Sequence, residues 1–189
     1  MGTRKSQRDT SMIRYVAFLR GINVGGHKVI KMTDLARLFE SFGFEHVKTY
    51  IASGNVLFDT AEANADAVAR GVEEGLRAAL GYDVRVILRT IAEIEGIIKM
   101  DPFKDVAPTE HVRLYVTFLS EEPRSTLKLP YESSAGEFQI LQRNGRDIFS
   151  AVFLSEMSRS VDGMTFIEKE FGTSSTTRNW NTVKKIAAL

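Results

Sequence analysis

The chain has no cysteine, one tryptophan, four prolines and almost no net charge over its 189 residues. The absence of cysteine excludes disulfides, thiolate metal sites and cysteine nucleophiles, and fits the reducing cytoplasm in which the protein is expected. With 25 basic and 24 acidic residues, a formal charge of +1 gives no general attraction to nucleic acid or anionic membranes, so such binding needs a local patch. No apolar run approaches the roughly 18 residues of a membrane span, and residues 1–11 lack the apolar segment of a secretory signal. These eleven residues carry Arg4, Lys5 and Arg8 and read as a disordered arm. Gly2 and Ser6 meet a short lipidation pattern that chance often satisfies, and Met12 is a second candidate start. What is present, 43% hydrophobic and 26% charged residues, is the composition of a chain that buries a core.

Residues 13–20 are β-branched and aromatic, too short for a typical helix and stopped by Gly21, which predicts a buried strand. Leu35, Leu38, Phe39 and Phe42 recur at helical spacing over 33–42, behind a Thr33 cap and before Gly43. Two β-like runs, 46–51 and 55–58, flank Ala52-Ser53-Gly54 as a hairpin. A helix over 62–79 ends at Gly81, and Val84–Leu88 is a further strand. The order β-α-β-β-α-β predicts a ferredoxin-like α+β module over 12–90. In that fold the first and third strands are antiparallel neighbours, so Arg20-Gly21 should meet Ser53-Gly54-Asn55.

A helix over 91–99 and a turn at Asp101-Pro102 make 91–110 a connector. The chain then begins again, for Tyr115-Val116-Thr117-Phe118-Leu119 echoes Tyr15-Val16-Ala17-Phe18-Leu19 a hundred residues later. A second hairpin, 138–141 with 146–149, flanks Asn144-Gly145. A helix over 161–171 and a terminal helix from about Arg178 complete a second, related but degenerate α+β module over 111–189. In the terminal helix, Thr177 is the expected cap, while Trp180, Val183 and Ala187 seal it to the core.

Three polar stretches carry the candidate site. Gly21-Ile22-Asn23-Val24-Gly25-Gly26 opens like a Walker A loop but lacks its Gly-Lys-Ser/Thr, because His27, Lys28 and Val29 follow. The Rossmann glycine pattern is absent as well. A weaker anion cradle of glycine N–H groups with Arg20 and Lys28 survives, against the alternative that the glycines simply make a wide connection. Ser53 and Asn55 are good turn residues in their own right, yet the fold places them beside the loop. Arg178, at a helix N-terminus whose dipole disfavours a cation, needs a partner, and Asn181 follows it. The expected ligand-binding set is Arg20, Gly21, Asn23, Gly25, Gly26, Lys28, Ser53, Asn55, Arg178 and Asn181, facing a small anionic or polar ligand.

No nucleophile and base pair is recognisable around His27, His46 and His111, and no catalytic residue or cofactor is specified. His46, at a strand start, reads as structural. No metal is expected, since His-x-x-x-His and His-Glu-x-x-His are absent and Glu73-Glu74 and Glu121-Glu122 read as solvated faces. An RNA-recognition module shares the strand order, but its stacking positions on the third strand hold Ser53 and Asn55 here, which disfavours nucleic acid. A protein-interaction or dimerisation module is the remaining alternative, with oligomeric state left open. The stretches RGINVGGHKVIKMTDL, YIASGNVLF and TTRNWNTVKK together resemble the family catalogued as domain of unknown function 1697, from about Ile13 to the C-terminus. The resemblance implies a ferredoxin-related α+β fold without an established activity, and it transfers no catalytic residue.

Overall fold

The computed structural model describes residues 11–154, 163–172 and 174–189, so the N-terminal arm, Ser11 apart, lies outside the described residues. Strand β1 (Ile13–Leu19) is followed by α1 (Met32–Ser41), β2 (Glu45–Tyr50), β3 (Asn55–Thr60), α2 (Ala65–Leu80) and β4 (Val86–Thr90). The sheet order β2-β3-β1-β4 is ferredoxin-like, with β1 antiparallel to β3 and Phe18 opposite Asn55. Its last five residues are buried because β1 has core on both faces. On the outer face, Tyr15, Ala17, Phe58 and Leu88 pack beneath Leu35 and Phe39 of α1 and Val72 and Leu76 of α2.

Several boundaries differ from the sequence reading for local reasons. Helix α1 begins at Met32 with Lys31 as its N-cap residue and no side-chain cap, so Thr33 sits inside the first turn. Helix α2 starts later than residue 62 because Asn64 Oδ1 accepts the N–H groups of Asp66 and Ala67, and it ends on Gly81 at φ 77°. Strand β4 runs two residues further than Leu88 and so takes in Arg89. Helix α3 (Ile91–Met100) follows at once, held by a reciprocal cap between Thr90 and Glu93.

The second module comprises β5 (Val112–Leu119), β6 (Tyr131–Glu132), β7 (Phe138–Asn144), β8 (Asp147–Phe153), α4 (Gly163–Phe171), β9 (Ser175–Asn179) and α5 (Trp180–Ala187). Residues 161 and 162 of the expected helix lie outside the described residues. The second hairpin turns one residue later than expected, at Gly145-Arg146, since Asn144 pairs with Asp147. Strands β6 and β9 are additions to the sequence reading. The expected helix start at Arg178 is a correction: Thr176, Thr177 and Arg178 hydrogen-bond in register with β5 as part of β9, and a ladder partner outweighs local helix signals. Asn179, not Thr177, caps α5 by accepting the N–H of Asn181.

Without β6, the second sheet order β7-β8-β5-β9 repeats β2-β3-β1-β4. Register makes the correspondence residue by residue: Val16 faces Arg89 where Val116 faces Arg178, and Phe18 faces Asn55 where Phe118 faces Asp147. Between β5 and β7 there is β6 but no counterpart of α1.

The inner faces of the two sheets are packed against each other. Val16, Phe18 and Leu57 share one core with Val116, Phe118 and Phe149, closed by Ile94 and Ile97 of α3 and by Trp180, Val183 and Ile186 of α5. The rings of Phe18 and Phe118 stack at 4.1 Å with an 11° interplanar angle. The repeated Tyr-Val-x-Phe-Leu strands are thus the two sides of a self-complementary interface inside one chain, the relation seen between subunits of a two-fold dimer.

Candidate functional site: two buried arginine junctions

Each end of this interface is closed by an arginine reaching from the outer strand of one module into the central hairpin of the other. Arg178 of β9 donates Nε–H to Asn55 Oδ1 at 2.6 Å and Nη2–H to the carbonyls of Leu19, Ser53 and Gly54 at 2.8, 2.9 and 3.3 Å. Its Nη1 donates to Thr176 Oγ1 and the Thr177 carbonyl. Arg89 of β4 does the reciprocal: Nε donates to Asp147 Oδ1 at 3.0 Å, and Nη2 to the carbonyls of Leu119 and Arg146. Leu19 and Leu119 occupy the same place in their strands, as do Asn55 and Asp147. The guanidinium of Arg178 lies 5.5 Å from the Phe18 ring centre, and that of Arg89 5.5 Å from Phe118.

The two cations differ in compensation. Arg89 has a carboxylate at 2.9 Å, yet burial outweighs the attraction for both partners, lowering the Arg89 pKa and raising that of Asp147. Arg178 is 7% exposed, and all its hydrogen-bond partners among the described residues are neutral. Burial alone pushes its pKa down to about 10, which leaves it charged at neutral pH. Asn55 cannot be traded freely for a carboxylate, because its Nδ2 donates to the Tyr50 carbonyl at 2.8 Å and to Ser53 Oγ at 3.2 Å.

Above Arg178 lies the glycine loop. Ile22 is buried against Gly54, where an added Cβ would lie 2.7 Å from Ile22 Cδ1 at φ 78°, so this turn needs glycine. Asn23 ties the loop together: its Oδ1 accepts from Ile30 N–H, and its Nδ2 donates to the Ile30 and Ala52 carbonyls. Gly25 and Gly26 are exposed at φ 58° and 78°, with N–H groups that meet no partner among the described residues. Lys28 donates Nζ–H to the Asp83 carbonyl and lies 5.2 Å from the Tyr82 ring centre, without a carboxylate partner among the described residues. Arg20 is ion-paired with Glu168 at 2.7 Å. Gly21 and Ser53 are exposed beside it. Asn181 is exposed on the first turn of α5 and makes no side-chain hydrogen bond to the loop among the described residues.

The glycine loop and Ser53-Gly54-Asn55 thus meet, as strand order requires, and Arg178 joins them with protein groups as the partner it was expected to need. The Arg89–Asp147 junction escaped the sequence reading, although a charged residue ending the apolar run Val86–Leu88 was the available signal. His46 bonds Asp59 at 2.9 Å at the irregular start of β2. Among the described residues no group of three or more His, Cys, Asp or Glu could hold a metal, and no helix is long and apolar enough to cross a membrane.

The profile described as "Protein of unknown function (DUF1697)" matches residues 12–149. The chain belongs to this family. The match ends within β8, so the Thr176–Asn181 stretch lies beyond it. The family's fold is met again in a solved structure, that of conserved bacterial protein SP0830 from Streptococcus pneumoniae, at 22% identity and a TM-score of 0.70, covering 94% of this chain and 98% of that one. The shared fold therefore extends through the second module. No curated protein matches the sequence.

Proposed function

We propose that the protein binds a small anionic or polar ligand at the glycine-loop end of its first sheet. The observation that carries this reading is the buried Arg178 cation, which has no carboxylate beside it among the described residues, at the place where its counterpart Arg89 has Asp147. A charge taken out of water and left uncompensated holds a positive potential over the nearby surface. Lys28 and the exposed N–H groups of Gly25 and Gly26 lie in the loop above it, where an anion would gain direct hydrogen bonds. Arg178 acts here through its field and by fixing the loop, since its donors are already used. The lack of cysteine supports a cytoplasmic setting.

RNA recognition is disfavoured on a second ground, because the sheet face that would stack bases is packed against the second module. An interaction surface is favoured by a separate observation: Val24, Val29 and Ile51 stand 65%, 70% and 47% exposed on the same loop pair.

The test is a titration of the labelled protein with phosphate, pyrophosphate and citrate, followed at the backbone amides. We expect saturable shifts at Gly25, Gly26 and Lys28 that weaken about tenfold in Lys28→Gln with unchanged thermal stability. Shifts absent from these amides for all three anions overturn the anion reading. If Val24→Asp then abolishes self-association or capture of a protein partner, the interaction reading takes its place.

A further inference from the structure

The outer faces of the two sheets follow one plan with different residues. In the first module Tyr15, Ala17, Phe58 and Leu88 are core beneath two helices. By register their counterparts are Tyr115, Thr117, Ser150 and Thr177: Tyr115 faces Ser150 as Tyr15 faces Phe58, and Thr117 faces Thr177 as Ala17 faces Leu88. Three apolar positions have become hydroxyls. The fold does not demand them, as the first module shows with the same strand order.

Among the described residues no counterpart of α1 covers this face, and a cavity of about 430 Å³ lies between it and α4. That volume is in the range of small-molecule sites. Its floor is the four hydroxyl side chains, and its walls include Phe138, Ile167 and Met164. Gly163 lets the first turn of α4 approach the Phe138 wall, since a Cβ there would stand 2.5 Å from the Phe138 ring. None of the described residues lining the cavity is charged.

The hydroxyls are under-used by the protein. Ser150 is 2% exposed, and its Oγ has no hydrogen-bond partner among the described residues. A buried hydroxyl left unpaired is costly, and each such group in a folded protein calls for an explanation. Thr117 and Thr177 bond each other at 2.7 Å, so whichever of them accepts still has its own proton to donate. The Tyr115 hydroxyl is also unpartnered among the described residues. Strand alternation puts Thr177 on this face and Arg178 on the other, so the cavity is separate from the glycine-loop end.

We propose that this cavity binds an uncharged small molecule with an apolar, ring-sized body and hydrogen-bonding groups along one edge, the class of aromatic amides and phenols. The ring lies against Phe138, Ile167 and Met164, and the polar edge meets Ser150, Thr177 and Tyr115. A charged ligand is disfavoured, because no charged side chain among the described lining residues would compensate it.

The test is an amide-resolved titration of the full chain with benzamide and phenol, with benzoate and toluene as controls. Saturable shifts at Tyr115, Ser150, Met164 and Thr177 are expected, with benzamide and phenol binding at least about tenfold more tightly than benzoate or toluene. The double variant Ser150→Ala/Thr177→Val keeps the volume, removes two hydroxyls and should weaken benzamide about tenfold while leaving toluene unchanged. Ser150→Phe restores the ring of the first module and should block all probes. Should that variant not fold, the double variant still decides. Either of two results overturns the proposal: no saturable shift at these residues with benzamide or phenol, or equal benzamide affinity in wild type and the double variant.

Discussion

Arg89 and Arg178 sit at counterpart positions of β4 and β9, over counterpart phenylalanines, and close opposite ends of one interface, yet among the described residues only Arg89 meets a carboxylate. The difference lies one strand away. At the Arg178 end the Tyr50 carbonyl needs a donor, which the amide of Asn55 supplies and a carboxylate cannot. At the other end, Asp147 has no such obligation and can be given wholly to Arg89. A local hydrogen-bond requirement thus separates a buried cation held by neutral acceptors from one held by a carboxylate.

The largest effect is expected at the stacked ring pair that links the two ends. Phe118 stacks on Phe18 and lies beneath Arg89, so Phe118→Ala should cost about 3 to 5 kcal/mol and loosen both junctions, read as the urea midpoint and as faster amide exchange at Leu19 and Leu119. Arg178→Ala should cost about 3 kcal/mol, because it strands buried carbonyls of Leu19 and Gly54 together with Asn55 Oδ1. Arg178→Lys should recover little of it, since one ammonium cannot reproduce a planar fork, and the same urea measurement checks both.

At the other end the loss should depend on pH. Arg89→Ala leaves the buried Asp147 carboxylate unpaired, and its pKa, already raised by burial, should climb further. A folded-state pKa above the unfolded value means that the folded form keeps a proton the unfolded chain has released. The cost of about 3 kcal/mol at pH 7 should therefore shrink as pH falls through the folded pKa, and Arg178→Ala should show no such recovery. Urea midpoints of both variants at pH 7 and pH 5 decide it.

The smallest effect concerns the helices that follow the two arginines. Thr90 caps α3 and donates its own N–H back to the Glu93 carboxylate, whereas Asn179 caps α5 without such a return bond. Thr90→Ala and Asn179→Ala should each cost about 1 kcal/mol, Thr90→Ala the more, because it also breaks the capping box. Thermal midpoints of the two variants check the order.

Most local elements and the order of the first module were legible from the residues alone. Period, caps and glycine stops are short-range signals, and a β-α-β-β-α-β order leaves few ways to pair four strands. The repeated Tyr-Val-x-Phe-Leu and the convergence of the glycine loop with Ser53-Gly54-Asn55 were legible for that reason. Strand β9 was not legible, because Thr176-Thr177-Arg178 carries cap-like residues and becomes a strand only beside β5. The tertiary structure alone decided that Arg178 meets carbonyls of the other module, that Arg89 has Asp147, and that three hydroxyls lie over a cavity while their counterparts lie in a core. Each of these depends on which residues are opposite one another across β5 and across the interface, and that pairing is set by packing over long sequence distances.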